Sequence, residues 1–196
     1  MFEIRFHGRG GQGVVTAAEL ICLAAFNEGR FAQAFPSFGS ERTGAPVVSF
    51  CRISDTPIRT REPISHPDAL AVQDVTLIHQ VELFAGLGED GTVVLNTSGD
   101  LESLGLSELR ERLRHGQVLT VPATEIAREI LGRPLPNAAL LGGLVAATKI
   151  VRLDALLDAI RTRSAGTTGE KNALAAQAAY RHVAEHREEV GHAATA

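Results

Sequence analysis

Between a short alternating segment and a long apolar one lies "FHGRGGQGVVTAAELI", residues 6 to 21, with Gly8, Gly10 and Gly13 spaced as G-x-G-x-x-G. No other feature constrains the fold as strongly. A run of glycines after a strand lets the backbone turn sharply and bring the next helix, or a ligand, close. The free N–H groups of that helix then point into the loop, and its dipole favours negative charge there. Arg9 adds a cation and Gln12 a neutral donor and acceptor. The bland alternative is that the glycines only permit tight strand–helix packing.

The rest of the chain fits that beginning. "FEIRF" (2–6) alternates as a first strand, and "VVTAAELICLAAFNE" (14–28) reads as a helix ended by Gly29. "RFAQAF" (30–35) predicts a second strand stopped by Pro36, and "VVSFCRI" (47–53) a third. "ALAVQD" (69–74) has the look of a central strand, followed by an expected helix over "LIHQVELFAGL" (77–87), a turn at "GEDG" and the strand "TVVLN" (92–96). "SELRERLR" reads as a polar helix and "QVLTVPA" as a strand, after which Thr124 is expected to N-cap "TEIAREILG". The last third is helical in "NAALLGGLVAATKIV", "LDALLDAI" and "EKNALAAQAAYRHVAEHREE". Strands alternating with helices predict an α/β, Rossmann-like fold with a largely parallel sheet flanked by helices on both faces. With no internal repeat, a single domain over 2–188 and a frayed tail at 189–196 are expected.

Two helices, "VVTAAELICLAAF" and "NAALLGGLVAATKIV", are apolar or small almost all the way round. A surface helix shows a polar face. Either both are buried within this domain or part of their surface meets another subunit.

Composition excludes several classes. A net charge of −4 without a basic block argues against nucleic acid. No run approaches the roughly 18 apolar residues of a membrane span. "MFEIRFHGRGG" lacks the layout of a signal peptide, so the cytoplasm is the expected location. The chain has two cysteines, Cys22 and Cys51, both in apolar stretches, and reads as carrying buried free thiols. A cluster or structural zinc site takes about four ligands.

A nicotinamide-binding fingerprint also requires an Asp or Glu ending strand two, to hold the ribose. "RFAQAF" has no acid, and the nearest, Glu41, lies beyond Pro36 in a loop. That weakens the reading of a standalone NAD- or FAD-binding protein.

Taken together, "GRGGQGVVTAAEL", "AQAFPSFGSERTGAPV" and "NAALLGGLVAA" resemble the γ subunit of the 2-oxoacid:acceptor oxidoreductases, which include the pyruvate, ketoisovalerate and phenylglyoxylate enzymes. The similarity spans residues 2 to 185. It implies one subunit of a complex that converts a 2-oxoacid, coenzyme A and an oxidised acceptor to acyl-CoA, carbon dioxide and reduced acceptor. By the same resemblance, thiamine diphosphate, Mg and [4Fe-4S] clusters belong to partner α, β and ferredoxin-like δ subunits. The thiamine signature is absent here: "GEDGTVVLN" imitates Gly-Asp-Gly followed by Asn, but Asn96 stands too near. No catalytic residue and no metal ligand is expected in this chain. The resemblance places Arg9, Gly10, Gly11, Gln12 and Gly13, with Ser37, Phe38, Gly39, Ser40, Glu41 and Arg42, where they would frame a coenzyme A site shared at the subunit interface. Arg9 and Arg42 are the candidate phosphate cations. A coenzyme A-binding module with a regulatory role is a further alternative.

Other motifs are decoys. "HVAEH" (182–186) matches a zinc-peptidase pattern, but only ten residues follow it in which to find a third ligand. "SFGSE" lacks the spacing of a hydrolase elbow. "LRERLR" reads as a solvated helix face, and His7 as an imidazole packed at a strand end. "RTRE" (59–62) sits in a proline-flanked connector able to touch a partner.

Overall fold

A computed structural model describes residues 1–37, 43–113 and 117–193, with side chains described through residue 185. The glycine loop joins β1 (Phe2–Arg9) to α1 (Val14–Asn27), and the chain continues through β2 (Phe31–Pro36), β3 (Pro46–Ser54), β4 (Ala69–Val72) and β5 (Thr92–Asn96). It then forms α2 (Ser107–Arg112), β6 (Gln117–Val121), α3 (Ala123–Leu131), α4 (Asn137–Thr148), α5 (Leu153–Arg163) and α6 (Thr167–Ala193). One sheet of six strands holds them in the order β2-β3-β1-β4-β5-β6. β4, β5 and β6 run parallel to β1, whereas β3 is antiparallel to both β1 and β2. Five of the six strands therefore point one way, as a largely parallel sheet requires.

Strand alternation sends successive side chains to opposite faces. Ile4, Phe6, Ala69, Ala71 and Val94 meet α1, α3, α4, α5 and α6 in one large core. Leu70, Val72, Val93 and Leu95 meet a smaller core closed by α2 and by the turns that carry Leu77, Leu83 and Leu87. Both faces are covered, though unequally.

α4 is buried on every side: each residue from Ala138 to Ala147 lies inside. Its small residues serve the α6 contact within the chain. A Cβ on Gly142 would stand 1.9 Å from the Ala176 carbonyl oxygen, so only glycine lets the two backbones approach this closely. For α4 the burial reading holds and the subunit-contact reading does not. α1 is likewise packed inward along most of its length, with Phe26 left exposed at its end.

Three local expectations are corrected. Residues 77–87 form no α-helix; only Val75–His79 makes a 3₁₀ turn, N-capped by the Asp74 side chain. The carbonyls of Leu83 and Ala85 accept from Arg5 Nη2 at 2.8 and 2.7 Å, which spends them outside any helix. Pro36 does end β2, as its last residue, pairing with Ser49, which an edge strand tolerates. Thr124 does not cap α3, which starts one residue earlier. Asn96 from the end of β5 does so instead: its Oδ1 accepts from the Thr124 N–H at 3.0 Å, and its Nδ2 donates to Thr124 Oγ1 at 2.8 Å. The last helix also begins at Thr167, three residues before the segment read from the sequence.

Cys22 on α1 and Cys51 on β3 are free and buried, with their sulfurs 2.7 Å apart. Burial, and then the contact with Cys22, push the Cys51 thiol well above its ordinary pKa. The raised Cys51 thiol is protonated and not a reactive thiolate. Among the described residues no helix is long and apolar enough to cross a membrane.

Candidate ligand site at the glycine loop

β1 has β3 on one side and β4 on the other, and the chain leaves β1 toward the β2 edge before returning to β4. The glycine loop therefore opens at the point where strand order reverses, which is where open α/β sheets receive ligands. Two of its glycines adopt left-handed backbone that other residues rarely take, Gly11 at φ 93° and Gly13 at φ 78°. Their surroundings differ. A Cβ on Gly13 would lie 2.8 Å from Asn137 Nδ2, so Gly13 seats α1 against the start of α4. Among the described residues a Cβ on Gly11 would meet nothing within 4 Å, and Gly11 is exposed.

α1 starts directly behind it. Gly13 is its N-cap residue, no side chain among the described residues caps it, and its first turn holds no acid. The leading N–H groups of a helix have no acceptor within the helix. α3 and α4 differ, because Asn96 and Asn137 supply side-chain acceptors to their first N–H groups. The α1 end is therefore electropositive and open to an anion or a carbonyl oxygen.

The side chains expected to bind are otherwise engaged. Arg9 Nε pairs with Asp74 Oδ2 at 3.0 Å, Nη1 donates to the Gly44 carbonyl, and Nη2 donates to Thr76 Oγ1 and Gln80 Oε1. Gln12 Oε1 accepts from the Arg9 N–H at 2.7 Å, and Gln12 Nε2 donates to Asp74 Oδ2 at 3.0 Å. Together these bonds fix the loop's shape. Burial alone would raise the Asp74 pKa; hydrogen bonds from Thr76 and Gln12, with the Arg9 charge, outweigh it and hold the carboxyl below its ordinary value. Gly10 is spent on structure too, its N–H donating to the Ala45 carbonyl at 2.9 Å and its carbonyl accepting from Gly44 at 3.1 Å.

Those last bonds, with the bridge between Gly10 and Thr43, bring the two candidate stretches together. The loop that leaves β2 at exposed Ser37 returns beside the glycines at Thr43. Phe38, Gly39, Ser40, Glu41 and Arg42 lie outside the described residues.

His7 stands beside the loop in sequence but turns to the other face of the sheet. Burial, and then the charge of Arg5, lower its pKa to about 3, so it packs as a neutral ring. Sequence reasoning missed Asp74 and Gln73. Both end "ALAVQD", the strand that becomes β1's parallel neighbour, and an acid at that strand end was the available signal. Gln73 is 2% exposed, and its carboxamide finds no hydrogen-bond partner among the described residues.

The topology also bears on dinucleotide binding. β3 separates β1 from β2, so an acid ending β2 would stand two strands from the glycines. The acid that does reach the loop, Asp74, is held by Arg9 and Gln12. Among the described residues no group of three His, Cys, Asp or Glu is placed to hold a metal, and the two cysteines face each other.

Sheet order, glycine loop and helix end define a Rossmann-like α/β fold in which the one described acid that reaches the loop, Asp74, is held by Arg9 and Gln12. The chain belongs to the pyruvate ferredoxin/flavodoxin oxidoreductase family, whose model matches residues 3–182. It is 48% identical to pyruvate synthase subunit PorC of Methanothermobacter thermautotrophicus over 183 residues, 93% of this chain and 96% of that protein. It is also 48% identical to the pyruvate/ketoisovalerate oxidoreductases common subunit gamma of Thermococcus kodakarensis, covering 92% of this chain and 96% of the relative. The crystal structure of pyruvate oxidoreductase subunit PORC from Thermotoga maritima superposes with a TM-score of 0.78 at 37% identity, covering 92% of this chain and 95% of that one.

Proposed function

We propose that this chain is the γ subunit of a cytoplasmic, multi-subunit 2-oxoacid:acceptor oxidoreductase acting on pyruvate or a related 2-oxoacid, and that it helps frame the coenzyme A site. The overall reaction joins 2-oxoacid and coenzyme A, releases carbon dioxide, and passes two electrons to an acceptor such as ferredoxin. By the family's division of labour, thiamine diphosphate, Mg and [4Fe-4S] clusters are assigned to the α, β and ferredoxin-like δ subunits. Free, buried thiols accord with a reducing compartment.

One observation carries the coenzyme A reading: the start of α1, capped by no described side chain, behind exposed Gly11 at the reversal point of the sheet. Gly11, Gly13 and the first N–H groups of α1 are the donors for phosphate or amide oxygens. Arg9 and Gln12 shape the loop rather than touch the ligand. Ser37, Phe38, Gly39, Ser40, Glu41 and Arg42 remain candidates for contact with the ligand on the sequence pattern alone, with Arg42 the remaining candidate cation.

The test is steady-state kinetics on the complex purified without oxygen. Gly11→Val both places a side chain in the space beside the loop and strains the left-handed backbone there, and is expected to raise KM for coenzyme A at least ten-fold, with KM for the 2-oxoacid unchanged. An unchanged KM for coenzyme A in an intact complex would overturn this site. If tagged wild-type chain brings down no thiamine-binding or cluster-bearing chain, the subunit reading fails.

A further inference from the structure

The opposite end of the sheet carries a second feature that the glycine loop does not explain. β2 is an edge strand whose residues, "FAQAFP", include no charge. Free edges are ordinarily guarded by charged residues, bulges or proline, because their outward N–H and C=O groups accept another strand. Here Pro36 guards only the far end. At the near end lies a groove of about 570 Å³, lined by Phe26 from α1, Arg30, Phe31 and Gln33 from β2 and its approach, and Ile58 and Arg61 from the connector.

The lining is unusual for a surface exposed to water. Phe26 is 69% exposed and Phe31 46%, two aromatic rings flanking one groove. Gln33 Oε1 is buried and has no hydrogen-bond partner among the described residues. Arg30 is taken by Asp55 at 3.0 Å and by the Ile150 carbonyl at 2.9 Å. Arg61 is exposed and makes no ion pair among the described residues, and the lining holds no acid. An occupant must match an unguarded strand edge, two apolar rings and a positive charge.

We propose that this groove is a docking site for an extended segment of another subunit of the complex, added as a strand along β2. The segment carries an apolar side chain that seats between Phe26 and Phe31 and an acidic side chain that meets Arg61. Main-chain bonds to an edge supply affinity in such pairings, and flanking pockets supply choice. Exposed aromatic anchors and arginine are the residue types that dominate interface energies. The proposal rests on the subunit reading but not on the coenzyme A site, since Phe31 pairs with Ser54 at the sheet end remote from Gly10.

The test uses the assembled complex. Benzoylphenylalanine in place of Phe26 is expected to photocross-link to one Asp- or Glu-containing segment of a partner subunit. Arg61→Glu is expected to weaken retention of that subunit at least ten-fold, and Arg61→Lys to restore it. The melting temperature of each variant chain should match wild type, which separates lost docking from lost folding. Cross-links only between copies of this chain would overturn the proposal, as would unchanged assembly in the Arg61→Glu, Phe31→Ser double variant. Absence of partner chains from the wild-type preparation would instead sink the subunit reading itself.

Discussion

On the helix side of β1 and β3, Ile4, Phe6, Cys51 and Ile53 pack against α1. On the other side of the same two strands, the register sets Arg5 opposite Phe50 and Glu3 opposite Arg52. There Arg52 Nε pairs with Glu3 Oε1 at 2.6 Å, its Nη2 donates to the Glu62 carbonyl at 2.7 Å, and its guanidinium lies over Phe35. Arg5 Nε, Arg52 Nη1 and both His7 nitrogens find no hydrogen-bond partner among the described residues. One face is held by volume, the other by a few directed bonds to the connector and turns that cover it. A face held by volume resists enlargement and ignores pH; a face held by directed bonds does the reverse.

The sharpest way to break that contrast is at α4. Gly142→Val drives a side chain into the Ala176 carbonyl and is expected to destabilise by about 4 kcal/mol or more, read by urea unfolding. On the polar face, Arg52→Ala leaves Glu3 and the Glu62 carbonyl unpaired, and a loss of about 3 kcal/mol is expected in the same assay. His7 sharpens the pH side. Its folded pKa of about 3 lies below the unfolded value near 6.5, so the unfolded chain takes up the proton first. Stability should fall by about 1.4 kcal/mol per pH unit below pH 6.5, down toward pH 3, and His7→Leu should flatten that slope. Unfolding midpoints between pH 7 and 4.5 check it.

At the glycine loop, where the faces meet, the sign is that of a stabilised carboxylate. The Asp74 pKa is depressed, so its contribution is present above the unfolded value near 3.8 and is lost as pH falls through the lower folded one. Asp74→Asn is expected to cost about 1.5 kcal/mol at pH 7 and much less at pH 3, by denaturant midpoint. The smallest effect belongs to the exposed groove. Phe26→Ser should change the stability of the isolated chain by less than about 0.5 kcal/mol, because its ring is not packed.

Most of the elements were legible in the sequence because period and punctuation agree there. "TVVLN" is the strand Thr92–Asn96, and "VVTAAELICLAAFNE" became α1 ending just before Gly29. Reading failed where a residue's partner comes from a distant segment. Leu77–Leu87 has helical spacing, but Arg5 claims two of its carbonyls. Thr124 looks like a cap until Asn96 arrives from another strand. The glycine loop was legible as a loop, whereas the engagement of Arg9 and Gln12 was not, since it depends on Asp74, 65 and 62 residues away.

The sequence by itself determined the alternation of elements, the shape of a glycine turn after strand one, and the absence of an acid after strand two. Those are local properties, set by side-chain period, by Cβ sterics and by which residue types are present. Only the tertiary structure decided that β3 enters between β1 and β2, that Gly10 is bridged to Thr43, and that Phe26 and Phe31 flank one groove. These depend on which strands pair and in what register, and pairing is settled by the burial of both faces at once rather than by any one segment.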